Sequence, residues 1–451
     1  MHYRTKREGL FGGITMLRKL SLFLVLSVLA VMGVASVAAQ DEEPLVVGLL
    51  VDQSGALTIY GYELEYGFKL GLLHEAGINL DDYETIDEAL AAVTIAGRPV
   101  EVIVRDNASN AETAASQARE LIEQEGAEIL VGAPSSGVMT GVQQVALDSD
   151  VILLAAPAAS PAITGANFNV NTFRVCRNTF QDFLAFAPYA SAELGTNFVI
   201  LAIDNDFGRA SAGAASVLAS AGITFVEQIF APLETTDFTP YLQQVLNSGA
   251  DAVLPIWAGD GSVTLFQQIA ELGVQEQMAV VAAFNSNDIV AVSDPSTIGN
   301  ISWIVYHYSF PENPINDYLT AGYEKFYADV PDLFSECSFA TAQALVQAVT
   351  ATEGDTLPES MIPALEGLVF EGPKGTYAIR PSDHQALVPM YIARLANLDD
   401  EGQNFYELLA TVPANEIVPP VLLPEAIAAE RLALDEDFNA MLAEMAAPAE
   451  E

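Results

Sequence analysis

A strand–helix alternation runs through this chain twice. Residues 46–51, 100–105, 129–131 and 151–155 are short, β-branched and almost wholly apolar, and between them 61–75, 111–125 and 137–148 carry apolar residues at helical spacing. The rhythm restarts with strands at 198–203, 224–230, 252–256 and 279–282 and helices at 208–221, 240–248 and 262–272. Apolar strands joined by helical crossovers predict parallel sheets covered on both faces, and two successive sets predict two α/β lobes of similar size. A length of 451 residues accommodates two lobes with extensions, and 51% hydrophobic against 17% charged residues suffices to bury their cores. Beyond residue 300 the pattern is mixed: a strand at 301–308, helices at 316–327 and 338–351, then a Gly- and Pro-punctuated segment from Phe370 leading to a strand at 390–395. This third block reads as the chain returning to finish both lobes. From Glu425 a tail rich in Ala and acids places Leu432, Phe438, Met441, Leu442 and Met445 on one helix face, which suits either a docked or a frayed helix.

Charge removes two classes of partner. Lys and Arg number 17 against 60 Asp and Glu, a formal charge of -43, so no basic surface exists to neutralise nucleic-acid phosphates or to grip an anionic membrane. The N-terminus points to export. Arg18 and Lys19 precede an uncharged apolar run from Leu20 to Val34, which ends in small residues before Asp41, and residues 1–40 are expected to be a signal peptide. Met16, just upstream of the basic pair, is a second candidate start. The competing reading is an uncleaved anchor, since 20–39 is nearly long enough to span a bilayer. No Cys follows the run to take a lipid, and in both readings the bulk of the chain is extracytoplasmic, in the periplasm or at the cell exterior.

Residues that could do chemistry are sparse. His74, His307 and His384 show no spacing with Cys or acids that would make a metal site, and no Ser stands in a nucleophile-elbow context. No catalytic set, cofactor or metal is expected. Gly259-Asp260-Gly261 imitates a nucleotide-binding turn but lacks its third glycine, and reads as a tight turn before a helix. More telling are the carboxyl ends of the strands, where open α/β sheets bind ligands. In the first lobe they carry Asp52-Gln53-Ser54-Gly55, Pro134-Ser135-Ser136-Gly137 and Pro157-Ala158-Ala159-Ser160-Pro161. In the second they carry Asp204-Asn205-Asp206-Phe207-Gly208, Trp257-Ala258-Gly259-Asp260 and Phe284-Asn285-Ser286-Asn287. Small hydroxyl residues and Gly ahead of a helix leave backbone N–H groups at its positive end, suited to a carboxylate or carbonyl oxygen. Three such loops facing three aromatic-bearing loops predict a ligand cleft.

The order of Val47-Gly48-Leu49, Ser54-Gly55, Tyr60-Gly61, Asp106-Asn107, 129–132, Pro157 to Pro161, Phe173-Arg174, Asp206-Phe207-Gly208 and Asp237-Phe238-Thr239-Pro240 resembles the periplasmic branched-chain amino-acid-binding proteins of ABC transporters. Gly372-Pro373-Lys374-Gly375, Arg380, Asp383-His384-Gln385 and Pro389-Met390-Tyr391 resemble relatives that carry amides, urea or aromatic acids. The resemblance covers about 44–420. It implies a two-lobed α/β fold closing by a hinge, with crossovers near 173–175, 306–309 and 376–380. Lobe 1 would then comprise 44–173 and 306–376, lobe 2 174–305 and 377–424, with the tail at 425–451. It implies further that Ser136, Ala158 and Ser160 hold the carboxylate of a small ligand and that Tyr60, Phe207 and Phe334 surround its side chain; Ser54, Ser135 and Trp257 join them as ligand-binding candidates from the strand-end loops. The family's lobe 2 acid for an ammonium group falls at Asn285, a departure that favours an amide or an amine-free acid unless Asp204, Asp206, Asp260 or Asp288 substitutes. The implied partners are a small metabolite and ABC permease subunits, with the mature protein soluble and monomeric. A sensor presenting a ligand-dependent surface to a receptor is the other reading of the same fold. Cys176 and Cys337, the only cysteines, lie beside implied crossovers, and a disulfide between them and two separate buried thiols are both open.

Overall fold

The computed structural model describes residues 43–259, 261–281 and 286–445; the expected signal peptide and Asn285 lie outside them. The first sheet consists of β1 (Leu45–Val51), β2 (Thr94–Ile95), β3 (Arg98–Asp106), β4 (Ile129–Gly132), β5 (Ile152–Ala155) and β6 (Thr172–Arg174), in the order β2-β3-β1-β4-β5-β6. Apart from the antiparallel β2–β3 pair the neighbours run parallel. The second sheet holds β7 (Asn197–Ile203), β8 (Thr224–Ala231), β9 (Ala252–Ile256) and β10 (Ala279–Val280) in the parallel order β10-β9-β7-β8.

The period-2 geometry of strands explains why the sequence of these strands is apolar throughout. Val47, Leu49 and Val51 of β1 enter one core cluster while Val46 and Leu50 enter another on the opposite face. β7 does the same, with Phe198, Ile200 and Ala202 on one side and Val199, Leu201 and Ile203 on the other. The shared inner cluster continues through both lobes, which ties them into one body around the crossovers.

The remaining strands are antiparallel. β11 (Ile301–Ile304), β15 (Met390–Leu395) and β16 (Tyr406–Val412) form one small sheet, packed with the Thr179–Glu193 helix of the second lobe. β12 (Val369–Gly372), β13 (Gly375–Ile379) and β14 (Ala386–Leu387) form another, beside the Ser335–Ala351 helix of the first lobe. The chain therefore crosses at 175–178, at 305–313 and at 388–389. The third lies beyond the expected 376–380, because that stretch is the second strand of a hairpin whose Gly372↔Gly375 turn is too short to leave the lobe. The 208–221 helix is also shorter than its sequence pattern: the α-helix is Asp206–Ala214, followed by a 3-10 segment Ala215–Ala221 ending at Gly222, φ 83°.

Within the first lobe, Thr58–Glu75 and Ser335–Ala351 approach so closely that a Cβ on Gly67 would stand 2.1 Å from the Ser335 carbonyl oxygen, and only glycine fits there. The tail is docked as far as it is described: Phe438 and Leu442 pack on Ala378 of β13 and Leu387 of β14, while Leu432 remains 46% exposed.

Candidate functional site

A cavity of about 630 Å³, open solvent included, lies between the carboxyl ends of the two sheets. The first lobe contributes Leu57, Tyr60, Ser109, Pro134, Ser135, Ser136, Pro157, Ala159 and Phe334, and the second Ile203, Asn205, Phe207, Leu233 and Ala258. Arg177, on the first crossover, completes the lining.

Each position follows from local structure. Ser135 is the N-cap of the Ser136–Asp148 helix but its hydroxyl makes no capping bond, which leaves that oxygen and the helix's first N–H groups directed at the cavity end of the element. Asn205 caps the Asp206–Ala214 helix by accepting from Gly208 N–H, and this fixes the turn that presents Phe207. Phe334 immediately precedes the Ser335–Ala351 helix, donates its N–H to Glu63 Oε2 at 2.6 Å, and packs edge-on against Tyr60 with ring centroids 4.8 Å apart. The lobes meet at a buried contact, where Gly259 N–H of the second donates to Tyr60 Oη of the first at 3.1 Å. Gly259 has φ 78°, and a Cβ there would stand 2.1 Å from Ala56 O, so the approach requires glycine.

The other expected positions are placed differently. Ser54 is exposed and its hydroxyl donates to Asp106 Oδ2 at 2.6 Å. Ser160 is buried, with its N–H donating to Ser136 Oγ at 3.1 Å and its carbonyl accepting from Arg174; Ala158 O accepts from Arg174 too. Trp257 is 2% exposed and packs edge-on against Phe238 in the second-lobe core, so it supports the cavity floor and is not part of its lining. Of the candidate replacements for an ammonium-binding acid, Asp204 is engaged by exposed Arg209, Asp206 is exposed and absent from the lining, and Asp260 lies outside the described residues. Asp288 lines a separate cavity with Glu63, Asp329, Asp332 and the tyrosines 62, 66, 323 and 327.

Arg177 was missed by the sequence reading because nothing in Val175 to Asn178 is periodic. The fold clamps it from both sides. Asn178, the next residue, closes a capping box with Gln181 at the start of the Thr179–Glu193 helix. The preceding residue, Cys176, is disulfide-bonded to Cys337 with a Cα–Cα separation of 5.1 Å, inside the range a bridge needs. Arg177 Nε lies 3.3 Å from Asp182 Oδ1, Nη1 donates to Pro157 O, and the guanidinium carbon stands 5.2 Å from the centre of the Phe334 ring. Around it, Lys374 Nζ lies 3.3 Å from Glu336 Oε2 and donates to Val305 O at 3.0 Å. Burial pushes the carboxyl of Asp182 up to about 6 and that of Glu336 up to about 7, in spite of the opposing pull of Arg177 and Lys374.

A family model described as periplasmic binding protein matches residues 44–403. The Leu/Ile/Val-binding protein homolog 6 of Brucella suis biovar 1 is 23% identical over 389 residues, which cover 84% of this chain and 94% of the relative. The crystal structure of an ABC-type branched-chain amino acid transporter protein of Rhodopseudomonas palustris superposes with a TM-score of 0.69 at 28% identity, covering 84% of this chain and all of that one. A solute-binding protein of an R. palustris ABC transporter in complex with 4-hydroxybenzoate superposes with a TM-score of 0.73 at 21% identity, covering 82% and 97%. A match over most of the chain, with two sheets of the expected topology and a cavity between them, places the chain in the periplasmic binding protein family, whose members are transport receptors and not enzymes.

Proposed function

We propose that this protein captures a small amphipathic metabolite between its lobes and delivers it to the permease of an ABC importer from outside the cytoplasm. The observation that carries the reading is the composition of the interlobe cavity. Both lobes supply its walls, and apolar rings face hydroxyls and a helix N-terminus across it. Because walls come from both lobes, a bound solute contacts all of them only when the lobes are together, which favours the joined state by the difference in contacts. The Tyr60–Gly259 bond is a buried contact available to that state alone. The Brucella relative is named a homologue of Leu/Ile/Val-binding proteins, and one structural neighbour is in complex with 4-hydroxybenzoate, so the solute classes to test are amino acids and aromatic or aliphatic acids.

Solute released by denaturing freshly purified protein, added back to stripped and refolded protein, should raise its melting temperature in a dose-dependent way. Stripped protein that takes up neither the released fraction nor any member of a library of amino acids, amides and organic acids would refute the reading.

A further inference from the structure

Arg177 is the only charged side chain among the described residues that line the interlobe cavity. It belongs to a buried group of charges at the crossovers that does not balance. Arg174, Arg177 and Lys374 are the cations; Asp182 and Glu336 are the carboxylates, and all five are buried. Arg177 faces Asp182 and Lys374 faces Glu336. Arg174 is met by neutral acceptors: Gln385 Oε1 at 2.7 Å, Ser160 O at 2.6 Å and Thr164 Oγ1 at 2.9 Å. The adjoining Arg380 and Asp383 are bonded to each other at 2.9 and 2.7 Å and add nothing to the count. Two more buried acids, Glu63 and Asp332, spend oxygens on backbone N–H groups of Phe334, Leu333 and Asn287, and line the other cavity. Among the described residues the crossover group thus sets three buried cations against two acids, an excess of positive charge in a place where water does not screen it.

We propose that the solute is a monocarboxylate without an amine, whose carboxylate rests on Arg177 and whose single negative charge completes this buried group. The inference rests on the cavity being the solute site proposed above. The donors suit it: a guanidinium holds a carboxylate through paired N–H bonds, and the hydroxyl of Ser135 and the helix start behind it add further donors on the same side. The rest of the cavity suits an apolar body, with Leu57, Tyr60, Phe207 and Phe334 as walls. An ammonium group brought into the same space would meet no carboxylate among the described lining residues and would lie near a guanidinium, which makes an amino acid a poor occupant.

The test uses matched probes, benzoate against benzamide, which lacks the negative charge, and 4-methylpentanoate against leucine, which adds an ammonium, titrated calorimetrically into stripped, disulfide-intact protein. Each anion should bind about tenfold or more tighter than its neutral or zwitterionic partner, the loss expected when a charged hydrogen bond is removed, as in benzamide, or an ammonium is buried without a counter-charge, as in leucine. The variant Arg177→Gln should lose that preference. Because it leaves Asp182 buried without its partner, the double variant Arg177→Gln/Asp182→Asn, which removes both members of the pair, is measured beside it, and Arg177→Lys should recover part of the preference. Benzamide or leucine binding as tightly as its anion, or a preference that survives in the folded double variant, overturns the charge assignment and leaves the solute-binding reading standing. Wild-type protein that binds no probe and carries no solute when purified overturns the solute-binding reading, and this inference with it.

Discussion

Breaking the Cys176–Cys337 bridge should destabilise the protein more than any single core truncation. The two residues are 161 positions apart, and the loop they close contains the whole second lobe up to the return crossing. Chain entropy for a loop of that size corresponds to about 5 kcal/mol at 25 °C. Replacing both residues by Ala adds a packing loss of about 1 kcal/mol, since both sulfurs are buried. The two contributions separate cleanly, because reduced wild-type protein keeps the sulfurs and loses only the cross-link. Urea unfolding followed by tryptophan fluorescence, with and without reductant, reads both. Trp257 reports the second-lobe core, whereas Trp303 packs against Phe183 and Phe186 beside the crossovers. The bridge also holds Arg177 next to Phe334, so reduction should weaken solute binding as well as lower the urea midpoint. Reduced and oxidised protein unfolding within about 1 kcal/mol of each other would refute the entropic argument. Two free sulfhydryls in denatured, unreduced protein would refute the bridge itself.

Other perturbations have equally definite signs. Ser136→Ala should lower the melting temperature of solute-free protein as well as solute affinity, because it strands the buried Ser160 N–H at a cost of about 1–3 kcal/mol; calorimetry of stripped protein showing no change would count against it. Trp257→Ala should cost about 3–5 kcal/mol of stability with affinity affected only indirectly, and an unchanged urea midpoint with lost binding would return Trp257 to the cavity wall. The carboxyls of Asp332 and Glu336 are both pushed up to about 7, chiefly by burial. For an acid raised in the folded state, the stabilisation present below its ordinary value is lost as pH rises to the folded value, so the urea midpoint should fall from about pH 4 to about pH 7 and level off above it. His307 and His384, whose buried rings are held below their ordinary value, oppose part of this fall below about pH 6.5, their unfolded value. Asp332→Asn should flatten the slope, and an undiminished slope would show that the general acidity of the surface is responsible.

The two parallel sheets were legible in the sequence because a strand buried on both faces has no polar residues to confuse its pattern. β1 and β7 each divide their side chains between two cores, and their apolar runs mark them almost to the residue. The antiparallel additions were harder to read. β16 buries only Tyr406 and leaves Glu407 and Leu408 exposed, and it begins after a loop of acids and amides; β12 and β13 meet at a turn inside a segment that reads as irregular. That hidden hairpin displaced the third crossover, and with β14 it also forms the platform on which Phe438 and Leu442 dock, so the uncertainty about the tail and the misplaced boundary had one cause.

The site divides along the same line. Tyr60, Ser135, Ser136, Phe207 and Phe334 stand where strand ends and helix starts put them, and those positions are written in local sequence. Ser54 and Ser160 occupy equally suitable turns, but tertiary partners claim their polar atoms: Asp106 for the one, Ser136 and Arg174 for the other. Local sequence cannot show such a claim, since the partners are 14 or more positions away. Arg177 is the opposite case. It sits in a stretch with no periodicity, and reaches the cavity only because a disulfide to Cys337 and a capping box at Asn178 fix the chain on both sides of it. A guanidinium held by long-range constraints at a lobe junction has no local signature. The nearest sequence signal is the pairing of an exported chain's only two cysteines, each placed beside a residue of the cavity: Cys176 next to Arg177, and Cys337 one helical turn after Phe334. Bridges of that kind constrain what lies beside them, so the neighbours of a lone disulfide at a domain crossing are reasonable first candidates for a site that local patterns do not reveal.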